Sequence, residues 1–89
     1  ACLVVAEELL EPLGLEPMAW LTGWAAAGCD PSRMGIGPVP AVERLFARRG
    51  YSWDDIGLVE LNEAFAVQVL SLLDHFGIDD DRLHELGYD

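Results

Sequence analysis

"LVELNEAFAVQVL" (Leu58–Leu70) is the stretch on which the reading of this chain turns. It opens as a strand, closes as a helix, and sets an amide and a carboxylate, Asn62 and Glu63, at the joint. Continued to Phe76, the helical part places Gln68, Ser71, Asp74 and His75 on one stripe about 120° wide at 100° per residue. Ala64, Phe65, Ala66, Val67, Val69, Leu70, Leu72, Leu73 and Phe76 take up the rest. A helix apolar over so much of its circumference belongs inside a layered fold. On local physics Asn62 is a good helix N-cap, its side-chain oxygen accepting from an unpaired backbone donor of the next turn. Glu63 then sits in the first turn, where a carboxylate is favoured by the helix dipole. The other reading is that the pair faces something that is not protein.

Upstream the same alternation recurs. "ACLVVA" (1–6) is a continuous apolar run, as in a strand covered on both faces. "EELLEPLG" predicts a short helix, acidic at its start, limited by Pro12 and ended by Gly14. "MAWLTGWAAA" (18–27) predicts a second strand, with Gly23 marking a bulge or a close approach of another backbone. A helix begins at Pro38 or Pro40 and stops at Gly50. Its Val39, Val42, Leu45, Phe46 and Arg49 share a face, leaving Glu43, Arg44 and Arg48 for solvent. "SWDD" is a small capping box, Ser52 with Asp55, and "IGLVEL" (56–61) is the third strand. The order strand–helix–strand–helix–strand–helix predicts an α/β layered architecture. After Gly77 the periodicity is lost and a loop is expected, with Asp79, Asp80 and Asp81 as a solvated acidic run.

Composition narrows the classes. The chain is 52% hydrophobic at 89 residues, yet a chain this short buries only ~60–65% of its unfolded surface. The expectation is a segment built to pack against more protein, either by oligomerising or as a piece of a longer chain. Its start mid-strand without methionine fits the second. The net charge of −11, with sixteen acidic residues against five basic ones, repels nucleic acid and anionic membranes. No stretch has the length of a membrane span or the charged start of a signal peptide. Cys2 and Cys29 lack metal-ligand spacing and read as small buried hydrophobes in a reducing, cytoplasmic setting. No metal site is expected.

"MGIGPVPA" (34–41) has the look of a phosphate cradle, but only Gly35 and Gly37 fit the GxGxxG pattern, and the chain has no lysine for a P-loop. It is either a tight turn into a helix or a surface where glycines admit a ligand close to the backbone. His75 lies on the polar stripe of the long helix and is read as a surface residue. No triad can be assembled.

"MGIGPVPA" followed by "DDIGLVELNEAFAVQVL" (54–70), with Asn62-Glu63-Ala64-Phe65 as an intact "NEAF", resembles the C-terminal domain of the thiolases. The resemblance runs from Ala1 to about Arg82, so residues 1–82 form a partial C-terminal domain of layered thiolase-like fold and 83–89 a divergent or truncated tail. It implies acyl transfer between acyl-CoA or 3-ketoacyl-CoA and CoA through a cysteine-bound acyl group, with coenzyme A as substrate and no cofactor. Asn62 matches the asparagine that holds a catalytic water in the family's oxyanion hole. Met34, Ala64 and Phe65 match positions near the pantetheine and acyl chain, and Glu63, Gly35 and Gly37 support the loops. Arg33, next to the glycine loop, is the only local candidate for CoA phosphates, since the family's main phosphate contacts lie outside these residues. The implied partners are the rest of a thiolase chain and, when complete, a homodimer or homotetramer.

Departures from the family pattern are equally specific. The family's nucleophilic cysteine lies in a preceding domain, and neither Cys2 nor Cys29 matches it. Its Gly-His-Pro loop and second cysteine should follow the long helix, and His84 lacks the flanking glycine and proline of the catalytic histidine. The chain alone is therefore expected to be inactive. Two other readings stand beside this one: a thiolase-like binding or scaffold protein without the chemistry, and an unrelated α/β interaction module whose "NEAF" only caps a helix.

Overall fold

Three α-helices and three 3-10 segments follow one another in a computed structural model that describes residues 1–79 and 81. A 3-10 turn at Glu7–Leu9 runs into α1 (Leu10–Leu13). A second, at Pro31–Ile36, leads into α2 (Pro38–Arg49). A third, at Trp53–Asp55, precedes the segment that enters α3 (Ala66–Phe76). The expected end of the chain, residues 83–89 with His84, lies outside the described residues, as does Asp80 of the acidic run.

Helix boundaries follow local chemistry. Gly50 and Gly77, the stops after α2 and α3, have φ of 68° and 66°, the left-handed region that a side chain makes costly. Beyond each, the next amide reaches back over the turn: Tyr51 N–H donates to Phe46 O at 3.1 Å and Ile78 N–H to Leu73 O at 2.9 Å. The Phe46 and Tyr51 rings, 6.4 Å apart edge to face, supply the apolar contact that accompanies such a cap. The Ser52 capping box is present: its N–H donates to Asp55 Oδ2 at 2.8 Å, and its hydroxyl lies 3.0 Å from the same oxygen.

The strands differ from expectation. Among the described residues no strand forms at 1–6, 18–27 or 56–61. A strand exists only as part of a ladder, and no backbone–backbone hydrogen bond reaches residues 1–5, 16–29 or 57–61 from any other described residue. What survives of the layering is contact without a ladder. The 18–27 segment lies along α2, where Arg44 Nη1 donates to Ala26 O at 2.6 Å and Thr22 Oγ1 lies 3.4 Å from the Tyr51 hydroxyl. Thr22 and then Arg49 hold that hydroxyl below its usual pKa. A Cβ on Gly23 would stand 3.0 Å from Leu45 Cδ1, so the glycine does mark a close approach, to α2 side chains rather than to a backbone.

The interior is small. Val39 of α2 and Leu72 of α3 are the buried hydrophobics among the described residues, each 6% exposed. Beside them Trp53 bridges the two helices, its ring centroid 4.9 Å from that of Phe46 and 4.9 Å from that of Phe76. His75 Nε2 lies 2.9 Å from Glu43 Oε1 across the same junction. It is half exposed, as its place on the polar stripe implied, but it is paired. The expected burial of α3 is not met within the chain, since Val67 and Leu70 are exposed. Cys2 is exposed on the apolar run 1–6, and Cys29, in the loop before the second 3-10 segment, is only partly covered, its Sγ 3.8 Å from Arg33 O and 3.9 Å from Met34 O. The accessible surface is 7569 Å², against about 5,200 Å² for a folded monomer of this mass. The radius of gyration is 16.2 Å, against about 12 Å for a compact domain of this length.

Candidate active-site surface

Both motif loops sit immediately before helices, and the fold brings the first against the helix that follows the second. The 3-10 segment Pro31–Ile36 starts from Asp30, whose Oδ1 accepts from Ser32 N–H at 2.8 Å and lies 2.7 Å from Ser32 Oγ. The hydroxyl, then the amide, hold the exposed Asp30 carboxyl below its ordinary pKa. Arg33 breaks the helical dihedrals at φ −125°, ψ 31°, and the chain then turns through Gly35 and Gly37 into α2. This segment lies across the start of α3. An open cleft of about 360 Å³ forms between Met34, Gly35 and Ile36 on one side and Val67, Gln68 and Ser71 on the other, with Ser32 and Arg33 at its edge.

The two glycines act differently. Gly35 faces open space, where a Cβ would meet nothing within 4 Å; the backbone there can be approached closely. Gly37 has ordinary helical dihedrals, φ −48° and ψ −38°. Its requirement is steric, since a Cβ would lie 3.2 Å from Met34 O. Both belong to a turn into α2, and Gly35 also leaves a free face.

The "NEAF" segment departs from the expected geometry. α3 begins at Ala66, not at Glu63, and its N-cap is Phe65, extended at φ −146°, ψ 142° and without a side-chain cap. Ala64 N–H turns back onto Asn62 O at 3.1 Å, and this short turn with the extended Phe65 holds Asn62 and Glu63 outside the helix. The capping role is thereby excluded for Asn62. Its side chain makes no hydrogen bond among the described residues, and Asn62, Glu63 and Ala64 are exposed. Phe65 is 67% and Met34 73% exposed. Met34 and Gly35 thus line the cleft, whereas Asn62, Ala64 and Phe65 stand on the segment leading into its α3 wall.

Gln68 and Ser71 are the residues that the periodicity assigned only to a polar stripe. They face the cleft, and Ser71 Oγ donates to Val67 O at 2.7 Å. The available signal was that polar groups fall in the opening turns of a helix otherwise apolar. Among the described residues no group of three metal-ligating side chains is gathered, and no helix is long and apolar enough to cross a membrane.

A glycine-rich loop lies against α3, and a loop carrying a free carboxamide leads into the same helix. The sequence profile described as "Thiolase, C-terminal domain" matches residues 15–87, and the chain belongs to the thiolase family through that domain. It is 51% identical over 80 residues to a 3-ketoacyl-CoA thiolase of Photobacterium profundum, covering 90% of this chain and 21% of that protein. It is 43% identical over 84 residues to the 3-oxoadipyl-CoA/3-oxo-5,6-dehydrosuberyl-CoA thiolase of Escherichia coli, covering 94% of this chain and 21% of that one. The crystal structure of the Bacillus anthracis acetyl-CoA acetyltransferase superposes with a TM-score of 0.77 at 39% identity, covering 86% of this chain and 20% of that chain. The chain thus spans about a fifth of the length of these relatives.

Proposed function

We propose that these residues serve an acyl transfer between 3-ketoacyl-CoA or acyl-CoA and CoA, as one part of a thiolase active site. The observation that carries the reading is Asn62. Its carboxamide is unspent by local structure, ahead of a helix that starts without it, in a chain of thiolase descent. A neutral amide orients a water toward developing negative charge without titrating. Such a fixed dipole stabilises the oxyanion formed when a thiolate attacks a thioester, and an aspartate there would repel it. Met34, Ala64 and Phe65 supply exposed apolar surface for the pantetheine arm and acyl chain, Gly35 admits it close to the backbone, and Glu63 and Gly37 shape the loops. Arg33, at the cleft edge, is placed to meet an anionic group of CoA.

No metal or redox cofactor enters this reading; coenzyme A is substrate. The three apolar runs at 1–6, 18–27 and 56–61 become strands of the layered α/β fold when further protein completes their ladders. The complete assembly is a homodimer or homotetramer in the cytoplasm, a location that the two free cysteines favour. The nucleophilic cysteine, the catalytic histidine and the second cysteine come from sequence beyond these residues.

Two experiments test the proposal. Purified residues 1–89 should show no thiolysis of acetoacetyl-CoA above background, and turnover that vanishes on Asn62→Ala refutes this. In a Photobacterium profundum thiolase carrying this chain in place of its matching segment, Asn62→Ala should lower kcat far more than it raises KM. Unchanged kinetics would leave the non-catalytic scaffold as the better reading.

A further inference from the structure

The cleft between the glycine-rich loop and α3 holds two polar side chains to which the acyl-transfer reading gives no role, Gln68 and Ser71. Local structure treats them differently. Ser71 stands in mid-helix, and its hydroxyl donates to Val67 O at 2.7 Å, the usual way a helical serine is satisfied. Gln68 is half-buried on the same wall. Its backbone N–H donates to Phe65 O at 3.0 Å, but its carboxamide makes no hydrogen bond with any described residue. A carboxamide carries N–H donors and an acceptor oxygen, and partial burial without a partner is unfavourable.

The rest of the lining says what kind of partner fits. Met34, Ile36 and Val67 are apolar, Gly35 has open space where a Cβ would stand, and Arg33 is the one charged side chain, at the edge. Among the described residues no carboxylate lines the cleft, although the chain holds sixteen. Sites of this make-up hold a mostly apolar ligand and fix it through a few placed polar groups. A carboxamide donates and accepts at once, so it matches another neutral amide better than a carboxylate or an ammonium, which do only one of these. The fitting occupant is a slender, neutral, amide-bearing chain with an anionic end towards Arg33.

We infer that Gln68 is a specificity-determining residue of this cleft, its carboxamide hydrogen-bonding an amide of the pantetheine arm, so that amide-bearing thioesters are preferred to plain alkyl thioesters. The inference rests on the acyl-transfer reading and deepens it. Met34 and Phe65 favour any apolar arm, whereas Gln68 tells one arm from another.

The test measures kcat/KM in the chimeric Photobacterium profundum thiolase for two acyl donors. One is acetoacetyl-S-pantetheine, whose arm carries amides; the other is the S-butyl thioester of acetoacetate, whose arm carries none. Because the acyl group passes to the enzyme before CoA accepts it, this quantity reports the donor's own contacts and not those of CoA. Gln68→Leu, which keeps the size and removes the hydrogen bonding, should lower the pantetheine value about 2–12-fold, the contribution of one neutral hydrogen bond. The butyl value should not change. Gln68→Ala should shift the ratio in the same direction and covers the case of a leucine variant that does not fold. Ser71→Ala should leave the ratio as it was, since that hydroxyl is already bonded to Val67 O. A ratio unmoved by both Gln68 variants overturns the inference. That includes an equal fall for both donors, the result expected if Gln68 only braces the loop or another stretch of chain. A shift with Ser71→Ala as large as with Gln68→Leu overturns it too. An unsubstituted chimera that turns over neither donor refutes the acyl-transfer reading, and this inference with it.

Discussion

Removing the Trp53 ring should separate α2 from α3. Trp53 touches Phe46 of α2 and Phe76 of α3, each at 4.9 Å between centroids and near edge to face. Truncating a fully buried Trp to Ala costs about 3–5 kcal/mol. Trp53 is half-buried, so about half of that applies, roughly 2 kcal/mol. Each edge-to-face pair adds about 0.5–1.5 kcal/mol beyond the area it covers. Trp53→Ala should therefore cost about 3–5 kcal/mol, a large part of the roughly 4–13 kcal/mol available to a chain of this length. α2 and α3 have twelve and eleven residues, and helices below about 12–15 residues are marginal alone. Loss of the bridge should thus lower helix content as well as stability. The assay is the ellipticity at 222 nm followed through a urea titration. At about 1 kcal/mol per molar urea the loss of signal should move down by about 3 M or more. Trp53→Phe, which keeps one ring in the gap, should move it by less than half as much. If Trp53→Ala kept the parent's ellipticity and urea resistance, the aromatic bridge would not be what joins the helices.

Three further outcomes are expected. Gly23→Ala places a methyl 3.0 Å from Leu45 Cδ1 and 3.4 Å from Arg49 Cγ, flexible side chains at a partly exposed site, and should destabilise by less than about 1 kcal/mol, below the range for overpacking a tight core, in the same titration; a loss of about 2 kcal/mol or more would show that these side chains are held fast. Gly35→Ala, with open space beside it, should be near neutral. The Asp55 carboxyl is held below its ordinary pKa of 3.8, first by the Ser52 amide and then by its hydroxyl. Its stabilisation is complete above 3.8 and is lost as pH falls through the lower folded value, so Asp55→Asn should flatten the acid limb of a pH titration of ellipticity; an unchanged limb would remove the capping box as its cause. In the chimeric thiolase Asn62→Asp should lower kcat by about 10²–10³, or 2.7–4 kcal/mol, the range for one oxyanion-hole donor. Steady-state thiolysis checks this, and parent-like turnover would reduce Asn62 to an exposed loop residue.

Helix stops, the Ser52–Asp55 box and a start of α2 at Pro38 or Pro40 were legible in the sequence because each is decided within one turn of chain, and the structure selects Pro38. A glycine that can adopt positive φ, a hydroxyl three residues from a carboxylate, or a proline whose missing N–H costs nothing at a helix start needs no distant partner. The two motif loops were legible for the same reason: glycine spacing and the "NEAF" run are local, and they marked the family. What local reasoning could not supply was where α3 begins. Asn62 is a good N-cap by residue type, yet the Asn62–Ala64 turn and the extended Phe65 move the start to Ala66 and release the amide. Nor could it supply the cleft, which exists only because Pro31–Ile36 crosses α3 and turns Gln68 and Ser71 from a solvent stripe into a wall.

The strands mark the sharpest division. Composition and pattern make residues 1–6, 18–27 and 56–61 strand-like by themselves, but a strand is a relation between chains and not a property of one. Its hydrogen bonds are all made to neighbours, whereas a helix closes its own within four residues. The amino-acid order therefore determined the helix stops, the capping box and the family, while tertiary structure decided where α3 begins, which loop lies against it, which polar groups stay unspent, and that these apolar runs have no ladder partner among the described residues.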